Sequence, residues 1–503
     1  MKKSAFILLI LTAMFAITNC AGGGGGGGAP PPPTRKFWAQ DFVKNMFYQL
    51  DAELLAENTR CRVWVEKGSG VTTAMANNVA NTYSNTVYSN MISTFGNTYN
   101  VSGLGQVSTM EYAHWLATGT TSGAKLTILL LDIKDGSNST SEPYIGGYFN
   151  PYDLFSDDPK NRSNQLDMIY VDTYPSVPGS QGSNQTLAHE MQHLMNLVSS
   201  IALNRSTEMD LWINEGLSTA AEWVYSKKHS EDRLSWYNYG GSELNKGNNF
   251  FCWGNRGGEL VVLLDDYATA YLFFQYLRLQ AQSRDNIYRD IIKSTYTDYR
   301  AVTTADSLNS SHKNNWQGLL RDWYAANYIH DTSSLYGYKE ETQLNVLTVP
   351  WAPTSLTSLS LYPGEGVYSK INGTGTLPGT SGNIKYAGLD GTSVVDSGTA
   401  SGARLTYNVN TNHKNGPAET GSTTGIAGSV GISIPGSGSV QIDQKEFTGP
   451  YKVDASYFRR RNGNDSMLDN EIINLFNNRR SISNDNNTLT SDISTLESVF
   501  IDE

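Results

Sequence analysis

The period of the apolar positions changes several times along this chain. Arg62 to Glu66 (RVWVE) alternates with the period of two that suits a half-buried strand. Val71 to Phe95 has few breakers and predicts a long helix. Leu126 to Ile133 (LTILLLDI) is apolar almost throughout, as in a central strand covered on both faces. Pro143 to Asn150 (PYIGGYFN) predicts an edge strand, with Gly146 and Gly147 permitting close backbone approach. Leu166 to Asp172 (LDMIYVD) predicts another strand. The pattern then turns helical, and helices are expected over 184–199, 210–227, 265–282, 284–294 and 314–328. Strands first and helices after predict an α+β domain with a mixed sheet over 35–349.

From 350 to 450 the chain becomes rich in Gly, Ser and Thr, and alternation takes over. Leu405, Tyr407 and Val409 alternate, as do Val430, Ile432 and Ile434, then Val440 and Ile442. Short strands with Gly turns predict a β-sandwich-like module. Residues 451–503 are polar and Asn-rich, with one helix expected over Met467 to Phe476 in a partly mobile tail.

At the other end, Lys2 and Lys3 precede an apolar stretch from Ala5 to Ile17, the form of a secretory signal over 1–19. Ile17-Thr18-Asn19-Cys20 resembles a bacterial lipobox, which implies acylation of Cys20 and a membrane-anchored lipoprotein. Simple secretion is the alternative. Over 20–34, a glycine run (Gly22 to Gly28) and a proline run (Pro30 to Pro33) form a tether, flexible first and then stiff. If Cys20 is lipidated, Cys61 and Cys252 remain, and spacing leaves open whether they pair or stay as buried thiols.

Composition narrows the function. Charged residues make up 17% of the 503, and the net charge is −11. A nucleic-acid partner needs a basic face, so none is expected. The body has no apolar run long enough to cross a membrane.

The chemistry concentrates in Thr186-Leu187-Ala188-His189-Glu190-Met191-Gln192-His193-Leu194-Met195, which contains HExxH. On a helix, His189 and His193 share one face and can hold one metal ion. Glu190 projects to one side, where it can reach a water at the ion without being a ligand. The plain alternative is a buried helix with two hydrogen-bonded histidines. A catalytic zinc needs a third protein ligand. A third His in the form HExxHxxGxxH is excluded, because Asn196 and Ser199 stand at the Gly and His positions. Glu215 lies beside the apolar stripe of the next expected helix and is the preferred third ligand. Glu208, Asp210, Glu222 and His229 are weaker candidates.

HExxH followed by Asn214-Glu215-Gly216-Leu217-Ser218 resembles the gluzincin metallopeptidases. AHEMQHLMN, LWINEGLSTAAEW and GGYFNPYDL are similar, more closely, to the hyicolysin family of secreted bacterial zinc proteases, over roughly 125 to 330. The resemblance implies a zincin-like fold and one Zn²⁺ per chain on His189, His193 and Glu215, with Glu190 as catalytic base. It also implies substrate backbone along Gly146, Gly147 and Tyr148, and an oxyanion-stabilising Tyr267, with His229 as the other candidate donor. Many gluzincins carry an acidic residue four places after the glutamate ligand, where this chain has Thr219. Glu222 is the candidate substitute. No GxMEN-like segment of related aminopeptidases is found, which favours an endopeptidase acting on proteins or peptides. The rival reading is a surface adhesin or structural lipoprotein that keeps the fold without activity, for which Glu190 has no use.

Overall fold

The computed structural model describes residues 31–137, 144–157, 159, 162–205, 207–238, 243–245, 247, 250–253, 260–353, 358–412, 419–422 and 452–453. The expected strands within 430–442, the helix over Met467 to Phe476, and Cys20 with its signal lie outside these residues.

The N-terminal half builds a sheet and its first helices. Strands β1 (Thr34–Asp41), β2 (Met46–Glu57) and β3 (Cys61–Glu66) form an antiparallel meander. Helices α1 (Thr73–Thr82) and α2 (Tyr88–Phe95) are joined by a single π turn, Tyr83–Val87, so the expected long helix is continuous but loosened at its centre. A hairpin of β4 (Thr98–Val101) and β5 (Gly105–Ser108) leads into α3 (Thr109–Thr118). Strands β6 (Leu126–Leu131), β7 (Tyr144–Ile145), β8 (Gly147–Tyr148) and β9 (Met168–Asp172) follow. The sheet order is β1-β2-β3-β6-β9-β8, with β3, β6 and β9 parallel and β8 antiparallel at the edge.

The pleat sorts the side chains. Val63, Val65, Ile128, Leu130, Ile169 and Val171 face the helices. Trp64, Leu129, Leu131, Met168 and Tyr170 face the other way, into a second core with Phe37, Phe42 and Tyr148. That second face is closed by the sheet curling onto itself. The Gln40 backbone N–H donates to the Tyr148 hydroxyl (3.1 Å), and the Tyr170 hydroxyl reaches the Trp38 carbonyl (3.2 Å).

The helical half comprises α4 (Gln181–Ala202), α5 (Leu211–Ser226), α6 (Glu231–Tyr237), α7 (Leu260–Gln280), α8 (Asn286–Lys293), α9 (Arg300–Thr303) and α10 (Trp316–Ile329). Strands β10 (Ser358–Leu361), β11 (Gly366–Thr376), β12 (Ile384–Leu389), β13 (Val394–Val395), β14 (Thr399–Asn408) and β15 (Glu419–Ser422) follow. They form a four-stranded sheet, β11-β14-β12-β13, and a pair, β10-β15. A last strand, β16 (Lys452–Val453), runs parallel to β7. Mixed sheet, helices and a β-rich C-terminal region together make an α+β protein. Tyr368, Ala387, Leu405 and Tyr407 of the β-rich region join the same core as α7 and α10. Cys61 and Cys252 are buried free thiols, and no disulfide links them. Among the described residues, no helix is long and apolar enough to cross a membrane.

Candidate metal centre

Helix α4 carries the HExxH segment through the middle of the protein. Ser180 caps it, its hydroxyl accepting from the Ser183 N–H (3.2 Å). Every residue from Ser183 to Ser200 is buried. Leu187, Met191, Leu194, Met195 and Val198 lock it into the main core. The two histidines, one turn apart, have ring centroids 4.9 Å from each other.

Helix α5 packs against α4 and supplies the third group. Glu215 is buried, with Oε2 3.4 Å from His189 Nε2 and 3.7 Å from His193 Nε2. A tetrahedral zinc with bonds of about 2.0–2.1 Å holds its ligand atoms roughly 3.3–3.4 Å apart. The three ligand atoms of His189, His193 and Glu215 all lie within 4.8 Å of one another. Among the described residues, this is the group of His, Cys, Asp and Glu able to converge on an ion.

The far side of each ring decides whether Nε2 offers a lone pair. His189 Nδ1 lies 3.1 Å from Glu222 Oε1, an acceptor, so Nδ1 carries the hydrogen. His193 Nδ1 lies 3.1 Å from both Asn214 Oδ1 and Ser218 Oγ. The Ser218 hydroxyl donates to Gln192 Oε1 (2.5 Å), which leaves its oxygen to accept from His193. Burial and the neighbouring His189 hold His193 well below the ordinary imidazole value, so its ring is neutral. Both Nε2 atoms therefore present lone pairs toward a carboxylate oxygen. Such a donor set fits a zinc ion.

Two glycines set the spacing around this centre. A Cβ on Gly216 would fall 2.1 Å from the Phe274 ring, so glycine beside Glu215 lets α5 settle onto α7. A Cβ on Gly147 would fall 2.6 Å from Thr186 Cγ2 and 3.4 Å from Glu190 Cγ. The edge strand therefore runs directly past buried Glu190. The Gly146 carbonyl accepts from the Asp172 N–H (3.0 Å). Tyr148 turns its ring away from α4, stacking on Tyr170 with centroids 4.1 Å apart. Only its backbone belongs to the edge near Glu190.

The remaining candidates divide. The Tyr267 ring on α7 sits 6.4 Å from the His189 ring, with Trp253 edge-on at 5.0 Å. His229 is held elsewhere, between the Tyr271 hydroxyl (2.8 Å) and Glu341 (3.1 Å). Asp210 stands at the start of α5, and Glu208 lies before it. Thr219 hydrogen-bonds back to the Gly216 carbonyl (3.0 Å), and Glu222 meets His189 instead. The sequence motif includes Asn214 and Ser218 but assigns no contact to them or to Arg233. Asn214 and Ser218 are four apart in NExxS, so they share a helix face, and that spacing was the available signal.

No family model matches the chain. The chain is similar to the neutral metalloprotease ShpI of Staphylococcus hyicus, with 32% identity over 232 residues, 44% of this chain and 51% of that protein. It thus spans about half the length of the curated relative it matches. The chain is therefore homologous to a metallopeptidase, and the convergent His189, His193 and Glu215 are a group able to hold the metal such an enzyme needs.

Proposed function

We propose that this chain is a zinc-dependent metalloendopeptidase that hydrolyses protein or peptide substrates outside the cytoplasm, anchored to a bacterial membrane through a lipid on Cys20. The observation that carries the reading is the convergence of His189 Nε2, His193 Nε2 and Glu215 Oε2, with both Nδ1 atoms engaged on the outer side. The hyicolysin-like segments and the metalloprotease homologue support it.

When bound, zinc lowers the pKa of adjacent water and polarises a peptide carbonyl. Glu222, Asn214 and Ser218 keep the two rings from rotating, so the ligand atoms need no rearrangement. A carboxylate oxygen of Glu190 takes the proton of the attacking water and returns it to the leaving amine. The edge strand at Gly146 and Gly147 lies beside Glu190 and can receive the substrate backbone as an added strand. Tyr267 is the proposed donor to the developing oxyanion. Nothing in this arrangement needs a free substrate amino terminus, which suits internal cleavage.

Metal content tests the site directly. The purified chain is expected to carry about one zinc, and His193→Ala to lose it. A His193→Ala protein that retains its full zinc would remove the site.

A further inference from the structure

The proposed ligands and their contacts come from α4 and α5, but a buried cation reaches the same cluster from a third element. Arg233 lies on the short helix α6, with its side chain 5% exposed. One guanidinium nitrogen lies 3.1 Å from Glu222 Oε1, the same oxygen that faces His189 Nδ1 at 3.1 Å. The guanidinium carbon sits 4.7 Å from the centroid of the Tyr267 ring. One planar group therefore touches both the carboxylate behind a ligand histidine and the aromatic ring beside that histidine.

We infer that Arg233 is a positioning residue of the metal centre, acting through Glu222 on His189 and through its ring contact on Tyr267. This rests on the metallopeptidase reading above. Glu190, Glu215 and Glu222 are three buried carboxylates in one site. The Arg233 guanidinium, bonded to the Glu222 oxygen that faces His189, holds that carboxylate in place behind the ring. Arginine suits the task better than lysine. Its guanidinium is flat, permanently charged and weakly hydrated, and it can bond a carboxylate at its edge while its face lies over a ring. Helix α6 thereby becomes part of the site without supplying a group that touches the reacting atoms.

A double-mutant cycle on zinc affinity, read by chelator competition on the full chain, tests this. Arg233→Gln and Glu222→Gln are each expected to weaken zinc binding about 10–100-fold. Because Arg233 acts through Glu222, the double variant should bind zinc no worse than Glu222→Gln alone. Arg233→Lys, which restores charge but not shape, should recover part of the loss. Zinc affinity in Arg233→Gln equal to the parent's overturns the inference, as does a double variant whose loss is the product of the two single losses. If Arg233→Gln fails to fold, the double variant, with neither charge left unpaired, still permits comparison with Glu222→Gln, and further weakening there overturns it. A parent that binds no zinc sinks this inference together with the proposed function. A parent that binds zinc and cleaves, with Arg233 indifferent, sinks the inference alone.

Discussion

Each proposed ligand histidine is gripped on the nitrogen that faces away from the metal position. Glu222 takes His189 Nδ1, while Asn214 and Ser218 take His193 Nδ1. The pairing of His189 and His193 is legible in sequence because it is local: residues four apart on one helix share a face. Glu222 is already a candidate in the sequence, whereas the contacts of Asn214 and Arg233 arise only from the packing of α5 and α6 on α4. Burial also produces charge behaviour that no motif announces. Asp153 is fully buried, accepts from the Tyr170 hydroxyl (2.7 Å) and the Asn164 N–H (2.6 Å), and is pushed up to about 7 by desolvation. In the unfolded chain the same group ionises near its ordinary 3.8. The folded state thus keeps a proton that the unfolded state gives up, and stability from this group is full below about pH 4 and lost as pH rises toward 7. Asp153→Asn should flatten that part of the profile. Urea midpoints measured from pH 4 to 8 check this, and parallel profiles for parent and variant would contradict it.

At the scale of elements, the long periodic segments were legible. The helix expected over 184–199 spans Gln181–Ala202, and the strand expected within 126–133 is Leu126–Leu131, hydrogen-bonded in parallel on both sides. The β1–β2 hairpin was not foreseen. Its outer face is solvated, and its inner positions Phe37, Ala39 and Asp41 gain meaning only once the sheet curls over them. Helix α3 has no strong apolar period to announce it, although Ser108 and Glu111 form a capping box ahead of it. The edge strand makes an element-level prediction. A Cβ at Gly147 meets Thr186 Cγ2 at 2.6 Å and the Tyr170 carbonyl oxygen at 2.8 Å, so Gly147→Ala must push β8 away from β9 or α4. Overpacking of this kind costs about 1–3 kcal/mol, and the shift moves the strand relative to Glu190. Chemical denaturation and a proteolysis assay should both register the change. A variant as stable and as active as the parent would show that the close approach is dispensable.

At the scale of the whole molecule, the β-rich region is tied to helix α10 and to the segment before α7. The Tyr324 hydroxyl donates to the Gly364 carbonyl (2.8 Å), the Tyr368 hydroxyl to the Tyr324 carbonyl (2.8 Å), and the Cys252 thiol to the Pro363 carbonyl (3.4 Å). Sequence marked the change of character near residue 350, but composition cannot show that two regions share a core. The proposed location rests on the first twenty residues of the sequence. The proposed lipidation of Cys20 predicts that Cys20→Ser moves the protein from the membrane fraction to the soluble one. A variant that still partitions wholly with membranes would contradict the anchor and leave the metal centre untouched.

The central claim, that a metal held by His189, His193 and Glu215 works with Glu190 as base, is tested most directly by one rate. Glu190 is buried on α4 beside the edge strand and outside the convergent ligand group. Glu190→Gln should therefore fold and bind zinc like the parent, while its amide cannot take the water proton. Casein digestion by the zinc-loaded variant, measured against the zinc-loaded parent, should fall by about 10²–10⁴-fold. A Glu190→Gln protein that digests casein as fast as the parent would contradict the account.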